Sequence, residues 1–351
     1  MKKNLTAAFI LFCSVFAAKA QDNGFESYTK FDFIAGEKVL FYDDFSDVGV
    51  GEFPSNWNTD ASGEVVTTNQ FAGKWFKLKD DYSYYIPDFF EPLPENYTFE
   101  FDALYTTGAD FSLEFYQRAE TSMENGYYPG DGGLFINFGN DNVNWKNWDN
   151  ITEGAEIIEG EGPHEQFSTE NTLQHYSIWV QKGRLRVYLN ETKVVDAPRA
   201  VLTKFKNNQI RFGAYEGVMI GNVKLAAGLP DMRSRLLTEG KLVTRGILFD
   251  SGSARIKPES FGILKEIATV LKENAQVSVK IVGHTDSDGD ETLNLNLSKS
   301  RAEAVKNALS TDFGIEAARI QTDGKGESEP SDSNTTAQGK ANNRRVEFIK
   351  L

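Results

Sequence analysis

The side chains best suited to chemistry lie in one stretch, GHTDSDGDETLNLNLSKSRAEAV, running from Gly283 to Val305. Asp286 follows the run QVSVKIVGH, where Val277, Val279 and Ile281 alternate with polar residues and predict a strand. Arg301 stands three residues after Ser298, which the pattern predicts as the N-cap of a helix continuing through Ala302, Val305 and Leu309. A strand end and a helix start would bring one acid and one base to the rim of a shared pocket. The planar Arg301 fork and the unpaired N–H groups of a first helical turn suit a carboxylate, and Asp286 suits an ammonium. The pair fits a small zwitterionic group, the bland alternative being a surface ion pair that contributes little stability.

The same stretch excludes other chemistry. DSDGDE resembles a calcium loop only superficially, because the EF-hand order wants glycine at the sixth position and Gly289 is fourth from Asp286. His284 has no catalytic partner set around it and is expected to serve in packing. No metal and no cofactor is expected.

The elements that must hold these residues form an α+β layer over 242–351. VTRGILFD is a predicted strand, and Pro258 opens a helix at its first turn, where a missing N–H costs nothing. Phe261, Leu264, Ile267, Ala268 and Leu271 follow at helical spacing. RIQTDGKG and RRVEFIKL supply the last strands of a small mixed sheet with helices on one face. Residues 229–241 read as a linker, since Gly228 and Pro230 break the preceding pattern.

From 38 to 228 the texture is of short alternating segments with turns between them. YTFEFDALY puts Phe99, Phe101, Ala103 and Tyr105 on one face, and YSIWVQKGRLRVYL reads as a hairpin turning at Lys182-Gly183. The expectation is an all-β sandwich of jelly-roll type. An outer-membrane barrel needs the same alternation with a polar lumen. Long acidic connections such as DNITEGAEIIEGEGPHEQ speak against it.

Residues 1–20 have the layout of a secretory signal peptide, with Lys2 and Lys3, an apolar run and Ala18-Lys19-Ala20, and 21–37 form a leader. Cys13, the single cysteine, lies in the apolar run after Phe12, where lipoprotein processing wants a small residue. A mature chain without thiols suits an oxidising compartment such as the periplasm, and has no thiolate for catalysis or zinc. Loss of three lysines takes the formal net charge from −14 to about −17, so nucleic acid is not an expected partner.

Residues 242–351 are similar to the OmpA-like peptidoglycan-binding domain family through ILFDSGSARIKPES, VGHTDSDGD, NLNLSKSRAEAV, GKGESEP and NNRRVEF, in that order. The resemblance implies that Asp286 and Arg301 anchor the zwitterionic end of diaminopimelate in a peptidoglycan stem peptide. It further implies that Asn294, Thr285, Asp250 and Ser251 line the pocket and that Arg345, with Arg344 as the alternative, stands at its edge. The 38–228 stretch resembles concanavalin-like, laminin-G or lectin-type sandwiches through LFYDDFSDVGVGEFPSNW and YSIWVQKGRLRVYLNETKVVD.

That fold hosts sugar-binding proteins and glycosidases alike. A laminarinase-type enzyme would carry Glu-x-Asp-x-x-Glu, and here Glu100 and Asp102 are followed by Tyr105, so the second acid is missing. Trp145 and Trp148 in NVNWKNWDN are candidate glycan contacts, with core packing as the alternative. Asp43 and Asp44 are expected to be a solvated acidic turn, with calcium ligation near the sandwich rim as the alternative. The expected function is a non-enzymatic, exported envelope protein that binds peptidoglycan and tethers a sandwich whose partner is a glycan or an envelope protein. The alternatives are an envelope glycoside hydrolase localised by the same module, and a barrel with a periplasmic domain.

Overall fold

The computed structural model describes residues 32–79, 83–89, 92–105, 110–118, 128–139, 142–163, 171–214, 217–228 and 232–351. The expected signal segment and the leader up to Phe31 lie outside the described residues.

Two antiparallel sheets build the N-terminal part. The first runs β13 (Thr192–Ala197), β12 (Arg184–Leu189), β11 (Leu173–Gln181), β6 (Asn96–Tyr105), β15 (Val218–Ala227), β4 (Trp75–Leu78) and β3 (Gly63–Val66), with β1 (Lys38–Asp43) also paired to β15. The second runs β10 (Glu159–Pro163), β9 (Asn142–Asp149), β8 (Gly132–Phe138), β7 (Phe111–Gln117), β14 (Gln209–Ala214), β5 (Ser83–Pro87) and β2 (Trp57–Thr59). Alternation decides which side chains lie between them. Phe99 and Phe101 of β6 meet Phe212 of the other sheet with ring centroids 5.8 and 5.2 Å apart. All three rings are fully buried, each contributing about 1.5–3 kcal/mol of transfer free energy. An aromatic interior between two sheets with separate edges is the inverse of a barrel with a polar lumen. In the β11–β12 hairpin Ile178 faces Val187 and Val180 faces Leu185, and Lys182 is a left-handed turn residue, with φ 53°.

A second core belongs to the C-terminal part. Its sheet runs β16 (Lys241–Thr244), β19 (Val346–Lys350), β17 (Val279–His284) and β18 (Ile320–Gly326). β17 and β18 are parallel and the other pairs antiparallel, so the sheet is mixed. Helices α2 (Phe261–Glu273) and α3 (Glu291–Thr311) pack Ile263, Leu264, Ile267, Ala302, Val305 and Leu309 against Val279, Ile281, Ile320 and Phe348. Pro258 begins the single 3₁₀ turn that precedes α2. Phe261 departs from the expected core face, being 49% exposed beside Phe313. The expected linker is structured where it is described: α1 (Met232–Ser234) and the turn Arg235–Glu239 bury Met232 and Leu236 in this second core.

Residues 32–43 join the two cores. Phe33 lies edge-on against Trp179 and Tyr188, with centroids at 6.1 and 5.4 Å, on the outer face of the first sheet. The free edge of β1 then meets α4 (Ala337–Asn343). Val39 N donates to Asn342 Oδ1 at 3.1 Å, and Val39 O accepts from Asn342 Nδ2 and Gln338 Nε2, both at 3.2 Å. One carboxamide thus supplies the donor and acceptor that a neighbouring strand would offer, which shields an edge otherwise open to pairing. Arg245 reinforces the joint by donating to Glu37 O at 2.6 Å and Asn342 O at 2.9 Å.

Candidate functional site

β17 delivers Thr285 and Asp286 at its C-terminal end, and Thr285 N continues the pairing by donating to Gly326 O at 2.9 Å. The helix that carries Arg301 does not begin at Ser298. Its N-cap is Asp290, whose carboxylate accepts from Leu293 N at 3.0 Å. Ser298 lies inside the helix, with its hydroxyl donating to Leu295 O and accepting from Gly326 N, both at 2.8 Å. Arg301 therefore sits about three turns into α3, and the unpaired amides of a helix start take no part beside it. What brings α3 close to β17 is glycine: a Cβ on Gly283 would run into the Ser298 carbonyl, and one on Gly324 into Ser298 Oγ and Lys299 N.

Asp286 is 9% exposed. Its Oδ2 accepts from Arg344 Nη1 at 2.6 Å and its Oδ1 from Asp288 N at 3.3 Å. Arg301, half-buried, lies over the Phe249 ring at 4.9 Å. It donates from Nε to Ser253 O at 2.9 Å and from Nη2 to Asp250 O at 3.4 Å. Burial lowers the Arg301 pKa, with the Asp286 charge opposing and the Arg344 charge adding to that shift. One carboxylate and two guanidinium groups thus share a partly desolvated site where charge–charge terms exceed their value in water.

The other expected residues take different parts. Asn294 Nδ2 donates to Asp288 O at 3.0 Å, Glu327 Oε2 at 2.6 Å and Asp286 O at 3.4 Å, stapling the loop after β17 to α3. Thr285 is 4% exposed, and its Oγ1 has no hydrogen-bond partner among the described residues. Asp250 presents its main-chain oxygen to Arg301, while its carboxylate pairs with Arg255. Ser251 is exposed on the neighbouring turn. Arg345 points elsewhere: it donates to Glu347 Oε1 at 3.0 Å and Glu329 O at 3.0 Å. Arg344 is the residue that reaches Asp286. Val346 and Phe348 are in the core, so Arg345 shares the opposite face with Glu347, and that parity was available from RRVEF. His284 is 2% exposed with Nε2 3.6 Å from Glu347 Oε2. Burial alone would raise Glu347, but His284, Lys241 and Arg345 together lower it to about 2.

In the N-terminal sheets, the two candidate tryptophans do not form one platform. Three residues apart on a strand, they face opposite sides of β9. Trp145 is in the core, its indole against Gly160, and Trp148 is 3% exposed, donating to Pro129 O at 3.1 Å beside Tyr128. A sugar cannot stack on both. Asp43 is buried rather than solvated, accepting from Phe45 N at 2.8 Å and Trp57 Nε1 at 2.9 Å. Burial pushes its pKa up to about 6. Glu100 and Asp102 hold His175, with its Nδ1 2.7 Å from Asp102 Oδ1 and its Nε2 3.8 Å from Glu100 Oε2. Lys224 and Asn222 complete that group, whereas Tyr105 points into the core against Tyr176.

The mixed sheet carries two helices, and Asp286, Arg344 and Arg301 lie at its edge. Residues 248–344 match the OmpA family model, and this stretch is an OmpA family domain. Among curated relatives, the probable lipoprotein YiaD of Escherichia coli is 48% identical over 102 residues, which is 29% of this chain and 46% of that protein. The outer-membrane lipoprotein YfiB of Pseudomonas aeruginosa is 40% identical over 103 residues, 29% of this chain and 61% of that protein. A solved structure, the cell wall anchor of the T6SS from Pseudomonas aeruginosa, is 34% identical with a TM-score of 0.29, covering 32% of this chain and 80% of that one. The chain thus spans less than two thirds of the length of these curated relatives. No helix among the described residues is long and apolar enough to cross a membrane.

Proposed function

We propose that this chain is a non-enzymatic, exported envelope protein that binds peptidoglycan non-covalently. Its C-terminal domain, 242–351, takes the diaminopimelate-containing stem peptide and tethers the sandwich, 38–228, which engages a glycan or an envelope protein. The observation that carries the reading is the presence of the largely buried Asp286 carboxylate, paired with Arg344, and the half-buried Arg301 guanidinium within one OmpA family domain. Asp286 receives the ammonium of the stem-peptide end and Arg301 its carboxylate, and the Thr285 hydroxyl, which has no partner among the described residues, supplies a further polar contact. Asp250 and Ser251 belong to the turn that borders Arg301, Asn294 holds the loop, and Arg344 takes the edge position. Relatives whose names place them in the outer membrane support an envelope site, and the protein is read as periplasmic and wall-attached. The sandwich is read as a jelly roll of concanavalin-like type, because the chain crosses repeatedly between its sheets, as from β4 to β5 to β6 to β7 and from β13 to β14 to β15. Glu100 and Asp102, already paired with His175, Lys224 and Asn222, support a non-catalytic sandwich.

The test is co-sedimentation of the mature chain with diaminopimelate-containing sacculi. A charge-assisted hydrogen bond is worth about 1.5–3 kcal/mol, so Asp286→Ala and Arg301→Ala should each weaken binding about ten- to a hundred-fold while circular dichroism stays unchanged. Parent-like pelleting of both folded variants refutes the pocket.

A further inference from the structure

We infer that Tyr42, a residue of the sandwich, is a positioning residue of the stem-peptide pocket and acts through Arg344. The inference rests on the pocket proposed above. The Tyr42 ring centroid lies 5.2 Å from Arg344 Cζ, and Arg344 Nη1 is the group that donates to Asp286 at 2.6 Å. The guanidinium is thus held between an aromatic face from one core and the pocket carboxylate from the other.

Both ends of this contact are fixed by their own surroundings. The Tyr42 hydroxyl donates to Asn222 Oδ1 at 3.4 Å, and Asn222 Nδ2 donates to Asp102 Oδ2 at 2.7 Å. Asn222 stands in a left-handed conformation, φ 51°, where β15 slips register against β6 between Gly221 and Lys224, and such a bulge re-aims a side chain. On the other side Arg344 is the C-cap of α4, and α4 is clamped through Asn342 and Gln338 to Val39, three residues before Tyr42.

A ligand ammonium and Arg344 compete for one carboxylate. When the ammonium takes Asp286, the guanidinium loses its charged partner in a partly buried place and turns fully to the ring face beside it, so the cation–π contact is stronger in the liganded arrangement than in the free one. Such a contact is worth about two- to five-fold in an equilibrium at an exposed site, and about thirty-fold when desolvated. Tyr42 therefore stabilises the liganded arrangement without touching the ligand, and the sandwich completes the pocket that the C-terminal domain begins.

The test is calorimetric titration of the full mature chain with a synthetic stem tripeptide ending in meso-diaminopimelate. Tyr42→Leu should weaken binding about five-fold and Tyr42→Phe, which keeps the ring, should restore it. In an Arg344→Gln background Tyr42→Leu should have no further effect. Asn222→Ala, which removes the anchor of the phenol together with the bond to Asp102 but keeps the ring, is expected to cost about two-fold. Parent-like binding by Tyr42→Leu and Asn222→Ala overturns the inference, as does an equal loss from Tyr42→Leu with and without Arg344, which would make the ring mere packing. Asp286→Ala separates the two levels: parent-like affinity there removes the pocket itself, whereas loss there beside a neutral Tyr42→Leu removes only the role of Tyr42.

Discussion

Asn342→Ala should loosen both cores at once, although the substitution lies in only one of them. The Asn342 side chain is buried and serves three partners: Val39 N at 3.1 Å, Val39 O at 3.2 Å and Asp332 Oδ2 at 2.9 Å. Val39 O keeps Gln338, but Val39 N, on a residue only 2% exposed, is left without an acceptor. An orphaned buried donor costs about 1–3 kcal/mol, and the lost bond to Asp332 adds about 1, giving an expected destabilisation of about 2–4 kcal/mol. Gln338→Ala, which leaves Val39 O with Asn342, should cost about 1 kcal/mol or less. The assay is urea unfolding followed by tryptophan fluorescence, because all five tryptophans, at 57, 75, 145, 148 and 179, lie before the C-terminal domain. The reasoning fails if Asn342→Ala leaves the tryptophan-detected transition within 0.5 kcal/mol of the parent, a change of about the size expected at an ordinary surface position, or if it costs no more than Gln338→Ala.

Two further outcomes follow from the same geometry. Burial opposes the charge of His175, but the Asp102 and Glu100 carboxylates outweigh it and raise its pKa to about 9. A raised folded-state value means this stabilisation is complete below the unfolded pKa, about 6.5, and is lost as pH rises through 9. Stability measured by urea at intervals from pH 7 to 10 should therefore fall in the parent more steeply than in His175→Gln, and parallel curves would contradict the pairing. Gly283→Ala should push α3 off β17, costing about 1–3 kcal/mol of stability by overpacking and moving Arg301 with the helix. Sacculus binding should drop along with the melting temperature, whereas an unshifted melting temperature would show that the helix has room to yield.

Period and alternation carried much of the architecture. The inward row of β6 and the hairpin pairs of β11 and β12 follow from residue types alone, because a strand with one buried face must alternate. The start of α3 was obscured by competition between two good caps. LNLNLS looks like polar loop followed by a serine cap, yet Asp290 captures Leu293 N first, and Ser298 spends its hydroxyl on the backbone inside the helix. The choice between Arg344 and Arg345 turned on strand parity, which RRVEF contains. The Val39–Asn342 bonds join residues 303 positions apart, and no local pattern of apolar or turn residues signals a contact of that kind. Tyr42 was hidden for the same reason, since nothing near it in the chain shows that its ring meets Arg344.

The clamp between β1 and α4 also has a mechanical meaning. If the pocket is fixed to a wall polymer and the sandwich to a partner, tension between them has two routes through the molecule. One is the covalent route through residues 228–241. The other leaves the pocket at Arg344, crosses α4 to Val39 and enters the first sheet through the ladder that pairs β1 with β15. The second is closed by hydrogen bonds to buried groups, which break far more easily than peptide bonds, so it stiffens the anchor at small loads and yields before any covalent bond does, as a fuse in parallel with a cable.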